Sequence, residues 1–308
     1  MASNLGQGGR GGFRVIQVKK LHPLFVGEVS GVDLCEPVDA KTRDAIIRAW
    51  DEYGVLVFRD QSIDDEQQMA FTEGLGPLVT TSRTLRPGFK PRLDPRMSDI
   101  SNLDEKNRVM GMNHQRRLQG ISNRLWHTDN AFRSTPAKYS LLSARAVPSE
   151  GGETEFADMR AVYDALPEKT KAFIEDKVAV HSLIYSREVL GFADYSPAER
   201  DGLPPARHAM VRTHPGSGRK ALYVASYAYE IEGMPTPEAR MLLHDLIERA
   251  TQRQFVYTHT WRVGDIVMWD NRCTLHRARD FDMTQRRDLH RTAVVDDGPT
   301  VTEAQVVA

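Results

Sequence analysis

The chain has 308 residues, of which 40% are apolar and 27% charged, and its formal net charge is −1. This composition is that of an ordinary globular protein. The near-zero charge provides no basic field for nucleic acid or a membrane surface, and no apolar run approaches the ~20 residues that span a bilayer. Cys35 and Cys273 form neither a CxxC pair nor a disulfide framework, so we expect a cytoplasmic protein without nucleic-acid or membrane partners.

The chain opens on a Gly-rich tail, residues 1–12, which lacks apolar anchors and which we expect to be disordered. Apolar alternation and capping signals then predict a strand–strand–helix–strand–helix opening, with its helices on one face of a sheet. In the second helix, Met69, Phe71 and Leu75 form the predicted inward face. The predicted elements are strands 13–21 and 24–34, a helix capped by Asp39 and stopped by Gly54, strand Val55–Phe58, and a helix that starts at Asp64.

Residues 80–123 differ from their surroundings. Apolar residues are sparse, prolines and glycines interrupt any period, and ten Lys or Arg between Arg83 and Arg124 stand against four Asp or Glu. A structureless segment of this length inside a compact domain is uncommon and often functional. We therefore expect an active-site lid with a positive bias, inserted into a single domain of residues 13–308, with a solvated surface loop as the alternative.

Beyond residue 138 the pattern becomes a series of short strands separated by turn residues, interrupted by helices 167–176 and 237–250. Many short strands of this kind predict a mainly β (α+β) fold with a double-stranded β-helix (jelly-roll) core and flanking helices. The apolar stripe at 242–247 serves either this core or a dimer interface, and we expect a homo-oligomer. The predicted strands are 139–147, 153–158, 178–184, 208–214, 221–226, 255–260, 266–269, 273–278 and 290–295.

The first chemical signal is the pair His127 and Asp129. Two residues apart in an extended strand, they point to the same side of the chain, and they supply two of the three ligands of a 2-His-1-carboxylate iron(II) site. An ordinary strand with a hydrogen-bonded His is the alternative for so short a pattern. Among the other histidines, His276 is the best candidate for the third ligand, because the turn residues Asp270 and Asn271 allow a hairpin that returns it to the site.

A second signal is the pair Arg287 and Arg291, four residues apart. In a strand they would share a face at about 13 Å separation, from ~3.3 Å per residue. Two separate anionic groups could then be held on one wall beside the metal, because the planar guanidinium binds carboxylates bidentately. A basic surface stretch is the alternative.

Together these residues resemble the TauD/TfdA family of Fe(II)- and 2-oxoglutarate-dependent dioxygenases, and the resemblance extends from about residue 21 to 297. The family pattern is His-x-Asp, a Thr about 27 residues on, a distal His, and arginines 11 and 15 residues after that His. In this chain it is matched by His127, Asp129, Thr154, His276, Arg287 and Arg291. Stretches that are similar to the 2,4-dichlorophenoxyacetate dioxygenases within the family are LHPLF, VLVFRDQ, SDISN, LWHTD, GGETEFADMRAVYDALP, VRTHPGSGRK and VGDIVMWDNRCTLHRARDFD.

The resemblance implies a role for each matched residue. His127, Asp129 and His276 would bind Fe(II), with O₂ as the co-reactant and ascorbate as a reductant in vitro. Thr154 and Arg287 would hold the C5 carboxylate of 2-oxoglutarate.

Three further residues would contact the substrate. Arg291 would bind its acidic group, or bridge that group to the cosubstrate. Asn123 matches a polar position on the substrate side. Arg83, in the lid, would be a second anion contact, with a solvated side chain as the alternative.

The implied reaction hydroxylates a small anionic aromatic substrate, an aryloxyalkanoate such as 2,4-dichlorophenoxyacetate. Cleavage of its ether bond would give a phenol and glyoxylate, together with succinate and CO₂. The alternatives are a taurine or alkylsulfonate dioxygenase of the same family, a cupin-like metal isomerase that uses no O₂, and a jelly-roll binding module without catalysis.

Overall fold

The computed structural model of the protein describes residues 16–81, 90–192 and 194–301; the Gly-rich tail and Arg83 lie outside these ranges. The strands are β1 Gln17–Lys20, β2 Gly27–Ser30, β3 Val55–Phe58, β4 Ser98–Ser101, β5 Ala137–Ala146, β6 Thr154–Asp158, β7 Val178–His181, β8 Ala206–Ala209, β9 Val211–Thr213, β10 Lys220–Leu222, β11 Ala228–Ile231, β12 Val256–His259, β13 Ile266–Asp270, β14 Thr274–Ala278 and β15 Asp288–Val295. The helices are α1 Ala40–Tyr53, α2 Asp65–Glu73, α3 Gln115–Gly120, α4 Met159–Asp164, α5 Glu168–Ile174, α6 Leu183–Glu188, α7 Pro197–Gly202 and α8 Thr236–Ala250, with 3₁₀ turns at Ile121–Arg124 and Arg253–Phe255.

The largest sheet has seven strands in the order β1-β2-β3-β13-β5-β15-β4. Only the β2–β3 pair in this sheet is parallel. Side chains alternate faces along each strand, so Val55 and Val57 enter one core cluster and Leu56 and Phe58 enter another. The second cluster also contains Trp50 of α1, which confirms the predicted packing of the first helices on one face of the sheet.

The opposite face of the large sheet packs on a three-stranded sheet of order β12-β6-β14. Phe156 of β6 lies against Trp269 of β13, with 5.5 Å between the ring centroids, and Leu142 of β5 belongs to the same cluster. Two facing sheets with helices outside confirm the α+β, jelly-roll expectation. Smaller sheets, β11-β7-β8 and β10-β9, extend the molecule beyond this sandwich.

Helix α1 begins and ends where its sequence predicts. Asp39 accepts a hydrogen bond from the backbone N–H of Thr42 at 2.9 Å, which satisfies one of the free donors of the first turn. Gly54 ends the helix at φ 69°, a left-handed conformation that glycine adopts at little cost.

The inward face of α2 agrees only in part with the prediction, because Phe71 and Leu75 pack against the core cluster as expected but polar residues are buried more deeply. Gln68 and Thr72 are fully buried, whereas Met69 is only partly so. Gln68 Nε2 donates to the carbonyl of His290 at 3.0 Å, and Thr72 Oγ1 lies 2.7 Å from the hydroxyl of Thr292. Polar side chains can occupy a core position when hydrogen bonds satisfy them, and apolar periodicity does not detect such positions.

The structure also corrects the bounds of two predicted strands and shows the role of the apolar stripe of α8. Strand 178–184 is too long, because β7 ends at His181 and Ser182 caps α6 through the N–H of Tyr185 at 3.1 Å. Strand 208–214 is divided into β8 and β9. In α8, Leu243 and Leu246 are core residues, so this stripe serves the core, and the homo-oligomer stays a prediction. None of the helices in the described ranges has the length and apolarity needed to cross a bilayer.

Two neighbouring histidines are buried in the small sheet β11-β7-β8. His181 is fully buried, and neither of its ring nitrogens has a hydrogen-bond partner among the described residues. His208 lies 5.0 Å away between ring centroids. Burial lowers the pKa of His181 well below its usual value and that of His208 to about 4, so both rings are neutral near pH 7.

These neutral rings predict a loss of stability in mild acid. In the unfolded chain each His protonates near pH 6.5, and protons bound only by the unfolded state lower the free energy of unfolding. The loss begins as pH falls through about 6.5 and is about 1.4 kcal/mol per pH unit for each ring, until the folded pKa is reached. We expect His181→Leu to lose less stability than the wild type between pH 7.5 and pH 5.5 in chemical unfolding. The exposed His244, changed to Leu, is the matched control, and an equal pH dependence in His181→Leu would contradict the assignment.

Candidate active site

His127 and His276 lie opposite each other in an isolated antiparallel bridge. The N–H of His127 donates to the carbonyl of His276 at 2.9 Å, and the N–H of His276 donates to that of His127 at 2.8 Å. Directly opposed residues of an antiparallel pair project to the same face. The two imidazoles are therefore adjacent, with 4.2 Å between their centroids.

The predicted hairpin before His276 is wrong. Strand β13 belongs to the seven-stranded sheet, whereas β14, which carries His276, belongs to the three-stranded sheet. The turn between them is held on the carbonyl of Asp270, which accepts from the N–H of Cys273 at 3.2 Å and the hydroxyl of Thr274 at 2.8 Å. His276 thus reaches the site because the chain crosses from one sheet to the facing one.

Asp129 completes a three-residue cluster with these histidines. One potential ligand atom from each of the three side chains lies within 4.8 Å of the other two, and Asp129 Oδ1 is 3.7 Å from His276 Nε2. Ligands at ~2.1 Å from one ion lie within about 4.2 Å of each other. Small side-chain rotations would therefore bring all three onto a single cation.

The protonation states suit metal binding. His127 Nδ1 lies 2.7 Å from the carbonyl of Leu125, an arrangement in which Nδ1 carries the proton and Nε2 keeps its lone pair. Burial lowers the pKa of both His127 and His276, so each ring is neutral near pH 7. Burial alone would raise the pKa of Asp129, but Arg291 and the two histidines bring it to about 2. Two neutral imidazoles and one carboxylate form the donor set of a non-haem iron(II) site.

One cavity joins the two histidines of this cluster to other residues that the sequence singled out, and Asp129 lines a neighbouring cavity that shares His127 and Arg291 with it. Thr154 enters the first cavity from β6, and its hydroxyl accepts a hydrogen bond from Trp261 Nε1 at 3.0 Å. Among the residues that line this cavity are Asn123, His127, Thr154, His276, Arg287 and Arg291. The predicted site residues within the described ranges are therefore brought together.

Arg287 is a buried cation in this cavity. Its guanidinium donates to the carbonyls of Ile100 and Gly152, both at 3.2 Å, and no Asp or Glu of the described ranges forms an ion pair with it. Burial lowers its pKa to about 10, so it stays protonated near pH 7. A buried charge without a counter-charge is costly, and an anionic ligand would supply the missing counter-charge.

Arg291 occupies a different environment four residues later. Its NH1 donates to Oδ1 of Asp129, and NH2 lies 3.4 Å from the hydroxyl of Ser98. Its Nε is buried and has no partner among the described residues. The residue expected to meet the substrate thus also contacts the candidate metal-ligand carboxylate, while one of its donors stays free.

A second cavity is lined by Asp129 and Arg291, and its apolar lining was not predicted. The wall residues come from separate segments of the chain, so no motif or spacing connects them in the sequence. The apolar and aromatic members are Val79, Ile100, Phe132, Leu183, Tyr227 and Ala293.

The described part of the predicted lid lies beside both cavities, but it is neither structureless nor an open basic surface. Strand β4 pairs with β15, and helix α3 follows. Arg92 bridges Asp99 at 2.9 Å and Asp288 at 2.6 Å, and Arg116 also binds Asp99 at 2.6 Å. Ile100 lines both cavities. Carboxylates close by in space therefore neutralise several of the cations that the sequence count treated as free.

Comparison with known proteins agrees with this geometry. The family "Taurine catabolism dioxygenase TauD, TfdA family" matches residues 17–293. The alpha-ketoglutarate-dependent 2,4-dichlorophenoxyacetate dioxygenase of Cupriavidus pinatubonensis is 45% identical over 90% of this chain and 96% of its own length. The (S)-phenoxypropionate/alpha-ketoglutarate-dioxygenase of Sphingobium herbicidovorans is 38% identical over 91% and 95%, respectively.

A solved structure is similarly close. The crystal structure of AAD-2 in complex with Mn(II) and N-oxalylglycine is 46% identical, with a TM-score of 0.86 over 94% of this chain and 100% of that one. The family match at residues 17–293 includes the candidate site residues of the described ranges. The chain therefore belongs to the TauD/TfdA family and is a dioxygenase.

Proposed function

We propose that this dioxygenase depends on iron(II) and 2-oxoglutarate and oxidises aryloxyalkanoates such as 2,4-dichlorophenoxyacetate. The observation that carries the proposal is Arg287, a buried cation without an acidic partner among the described residues, in one cavity with the two histidines of the His–Asp–His cluster. That arrangement fits a dicarboxylate with one end at a metal and the other at a guanidinium. The printed names of the two curated relatives support the substrate class.

Each group would have a defined holder in this proposal. His127, Asp129 and His276 would bind iron(II), since they provide the neutral imidazoles and the carboxylate that it prefers. Arg287 would bind the far carboxylate of 2-oxoglutarate. Thr154 lines the same cavity, and its hydroxyl, which accepts a hydrogen bond from Trp261 Nε1, keeps its own proton free to donate to that carboxylate.

When bound, iron(II) with 2-oxoglutarate and O₂ supplies the oxidising chemistry, and 2-oxoglutarate leaves as succinate and CO₂. The residues of the second cavity place the substrate. Phe132, Leu183 and Tyr227 provide apolar contact for an aromatic ring, and the free Nε of Arg291 can donate to a carboxylate. Orienting one C–H bond in this way is a large contribution to rate. Hydroxylation at the carbon that bears the ether oxygen gives a hemiacetal, which separates into a phenol and glyoxylate.

The other functions that the sequence allows are not supported equally. Membership of a dioxygenase family disfavours a cupin-like isomerase and a binding module without catalysis. A taurine or alkylsulfonate dioxygenase would use the same metal and cosubstrate residues, so only the substrate separates it from the main proposal. The proposal also keeps the expected cytoplasmic location, in which Cys35 and Cys273 would stay the free thiols that they are here.

Metal binding tests the His–Asp–His cluster without any assay of activity. Protein stripped of metal is expected to bind one equivalent of Co(II) or Mn(II), and His276→Ala to weaken that binding at least about 100-fold, because one ligand of three is lost. The control is His244→Ala, which alters a surface trio of His244, Asp245 and Glu248. Equal weakening in both variants, or full affinity in His276→Ala, would contradict the assignment.

The role of Arg287 is tested by Arg287→Met. In Mn(II)-loaded protein we expect the Kd for 2-oxoglutarate to rise about 30-fold or more, since loss of one partner of a buried charge pair costs ~2–5 kcal/mol. The ligand-free variant should melt no lower than the wild type, because an uncompensated buried charge is removed. Arg286→Met, which alters a neighbouring half-exposed arginine, should leave the Kd unchanged. An unchanged Kd in Arg287→Met would place the cosubstrate carboxylate elsewhere.

The substrate class is tested by product release. Protein loaded with Fe(II) and supplied with ascorbate, 2-oxoglutarate and 2,4-dichlorophenoxyacetate is expected to release succinate and the phenol in equal amounts. The same assay on 2-aryloxypropionates and taurine separates the alternatives. Succinate with sulfite from taurine, and no phenol from the aryloxyacetate, would assign the enzyme to the sulfonates. Absence of succinate with every substrate in an iron-loaded, folded sample would contradict the proposed function.

A further inference from the structure

Asn271 follows β13 in the turn that crosses between the sheets, and its side chain accepts three hydrogen bonds. The amide oxygen Oδ1 receives the backbone N–H of Asp129 at 3.0 Å and the indole N–H of Trp269 at 3.0 Å. The hydroxyl of Thr128 approaches the same oxygen at 3.2 Å. Asn271 is only 1% exposed, so these bonds form away from bulk water.

The nitrogen of the same amide begins a path to the carboxylate of Asp129. Asn271 Nδ2 donates to the hydroxyl of Ser140 at 2.9 Å, and that hydroxyl donates to Asp129 Oδ2 at 2.7 Å. One amide therefore holds the backbone of Asp129 directly and its carboxylate through Ser140. Ser140 is fully buried, and its one proton is directed to Oδ2, because the amide N–H can only donate to the hydroxyl and the carboxylate can only accept from it.

The consequence is a carboxylate with two unlike oxygens. Oδ2 is engaged by Ser140, while Oδ1 faces His276 Nε2 at 3.7 Å and receives Arg291. Free rotation of the carboxylate would exchange the two oxygens, and the Ser140 bond opposes that exchange. A carboxylate fixed in this way offers a single oxygen toward the two imidazoles.

The same amide also reaches the second imidazole indirectly. Trp269, whose indole N–H is bound by Asn271, lies against His276 with 4.7 Å between ring centroids and 50° between ring planes. His276 Nδ1 has no hydrogen-bond partner among the described residues. Packing against Trp269 and Phe156, rather than a hydrogen bond to that nitrogen, therefore orients the His276 ring.

We propose that Asn271 and Ser140 are positioning residues that present Asp129 to the metal through one oxygen, with Asn271 also aligning His276 through Trp269. The inference rests on the metal site of the proposed function. An amide is required at residue 271 because the position needs an acceptor on one side and a donor on the other. Aspartate lacks the donor, and an aliphatic side chain lacks both.

The primary test is the metal affinity of Ser140→Ala. Loss of a partner that orients a ligand costs about 10–100-fold in metal affinity, and we expect a Kd for Co(II) raised by that factor with the melting temperature close to that of the wild type. The absorption bands of bound Co(II) should also change, because the carboxylate is free to bind through both oxygens. Neither readout depends on turnover.

The matched control is Ser143→Ala on the same strand. Ser143 is equally buried, but its hydroxyl donates to Gln68 Oε1 at 2.6 Å on the opposite face of the sheet. This variant also loses one buried hydrogen bond, so it should cost similar stability and leave the Kd for Co(II) unchanged. An equal loss of Co(II) affinity in Ser140→Ala and Ser143→Ala would show that Ser140 contributes only to general stability.

A second variant, Asn271→Asp, tests the shared path with nearly the same side-chain shape. It should weaken Co(II) binding by a similar factor, and the double variant with Ser140→Ala should be little weaker than either single one, because both act on one chain of bonds. Wild-type affinity in Ser140→Ala would overturn the inference even if Asn271→Asp fails to fold. Failure of the wild type itself to bind Co(II) would instead overturn the proposed function, and the positioning role with it.

Discussion

The reciprocal backbone pair between His127 and His276 is the contact on which the site depends. These residues are 149 positions apart in the chain, and two main-chain hydrogen bonds place them side by side. Side chains opposed in this way cannot separate without loss of the pairing. The pairing exists because the chain leaves β13 in one sheet and continues as β14 in the other. Metal geometry is thus a property of the sandwich and not of a local loop.

Two arginines, Arg291 and Arg287, could each bind an anion, but their electrostatic environments are not equivalent. The guanidinium of Arg291 donates to Asp129, whereas among the described residues the guanidinium of Arg287 donates to backbone carbonyls. The first arginine therefore helps to keep the carboxylate ionised, as the low pKa of Asp129 shows. The guanidinium of Arg287 carries a charge that none of the described Asp or Glu residues compensates by an ion pair. Buried charges of this kind lower stability, which is a common consequence of building a functional site.

Sequence reasoning was strongest where chemistry demands particular residue types at fixed spacing. His127, Thr154 and the two arginines fit a family pattern, and the structure places them in one cavity, with Asp129 in the neighbouring one. It failed for residues whose importance arises only from tertiary contacts. Nothing in the sequence distinguishes Ser140 from Ser143, yet one faces the candidate metal ligand and the other faces Gln68. The lid was misjudged for the same reason, since a count of charges ignores the partners that folding brings near.

The two ion pairs of Arg92 affect how the enzyme selects among substrates. Arg92 joins Asp99 of β4 to Asp288 of β15, and β4 is itself hydrogen-bonded to β15. This part of the lid is an edge of the main sheet, fixed by backbone pairing as well as by ion pairs. A wall fixed in this way is consistent with a preformed pocket. It is less consistent with a loop that closes because its mobile cations attract an anionic substrate. Discrimination among aryl acids then falls to the apolar side chains of the second cavity, where one methylene is worth ~1–3 kcal/mol.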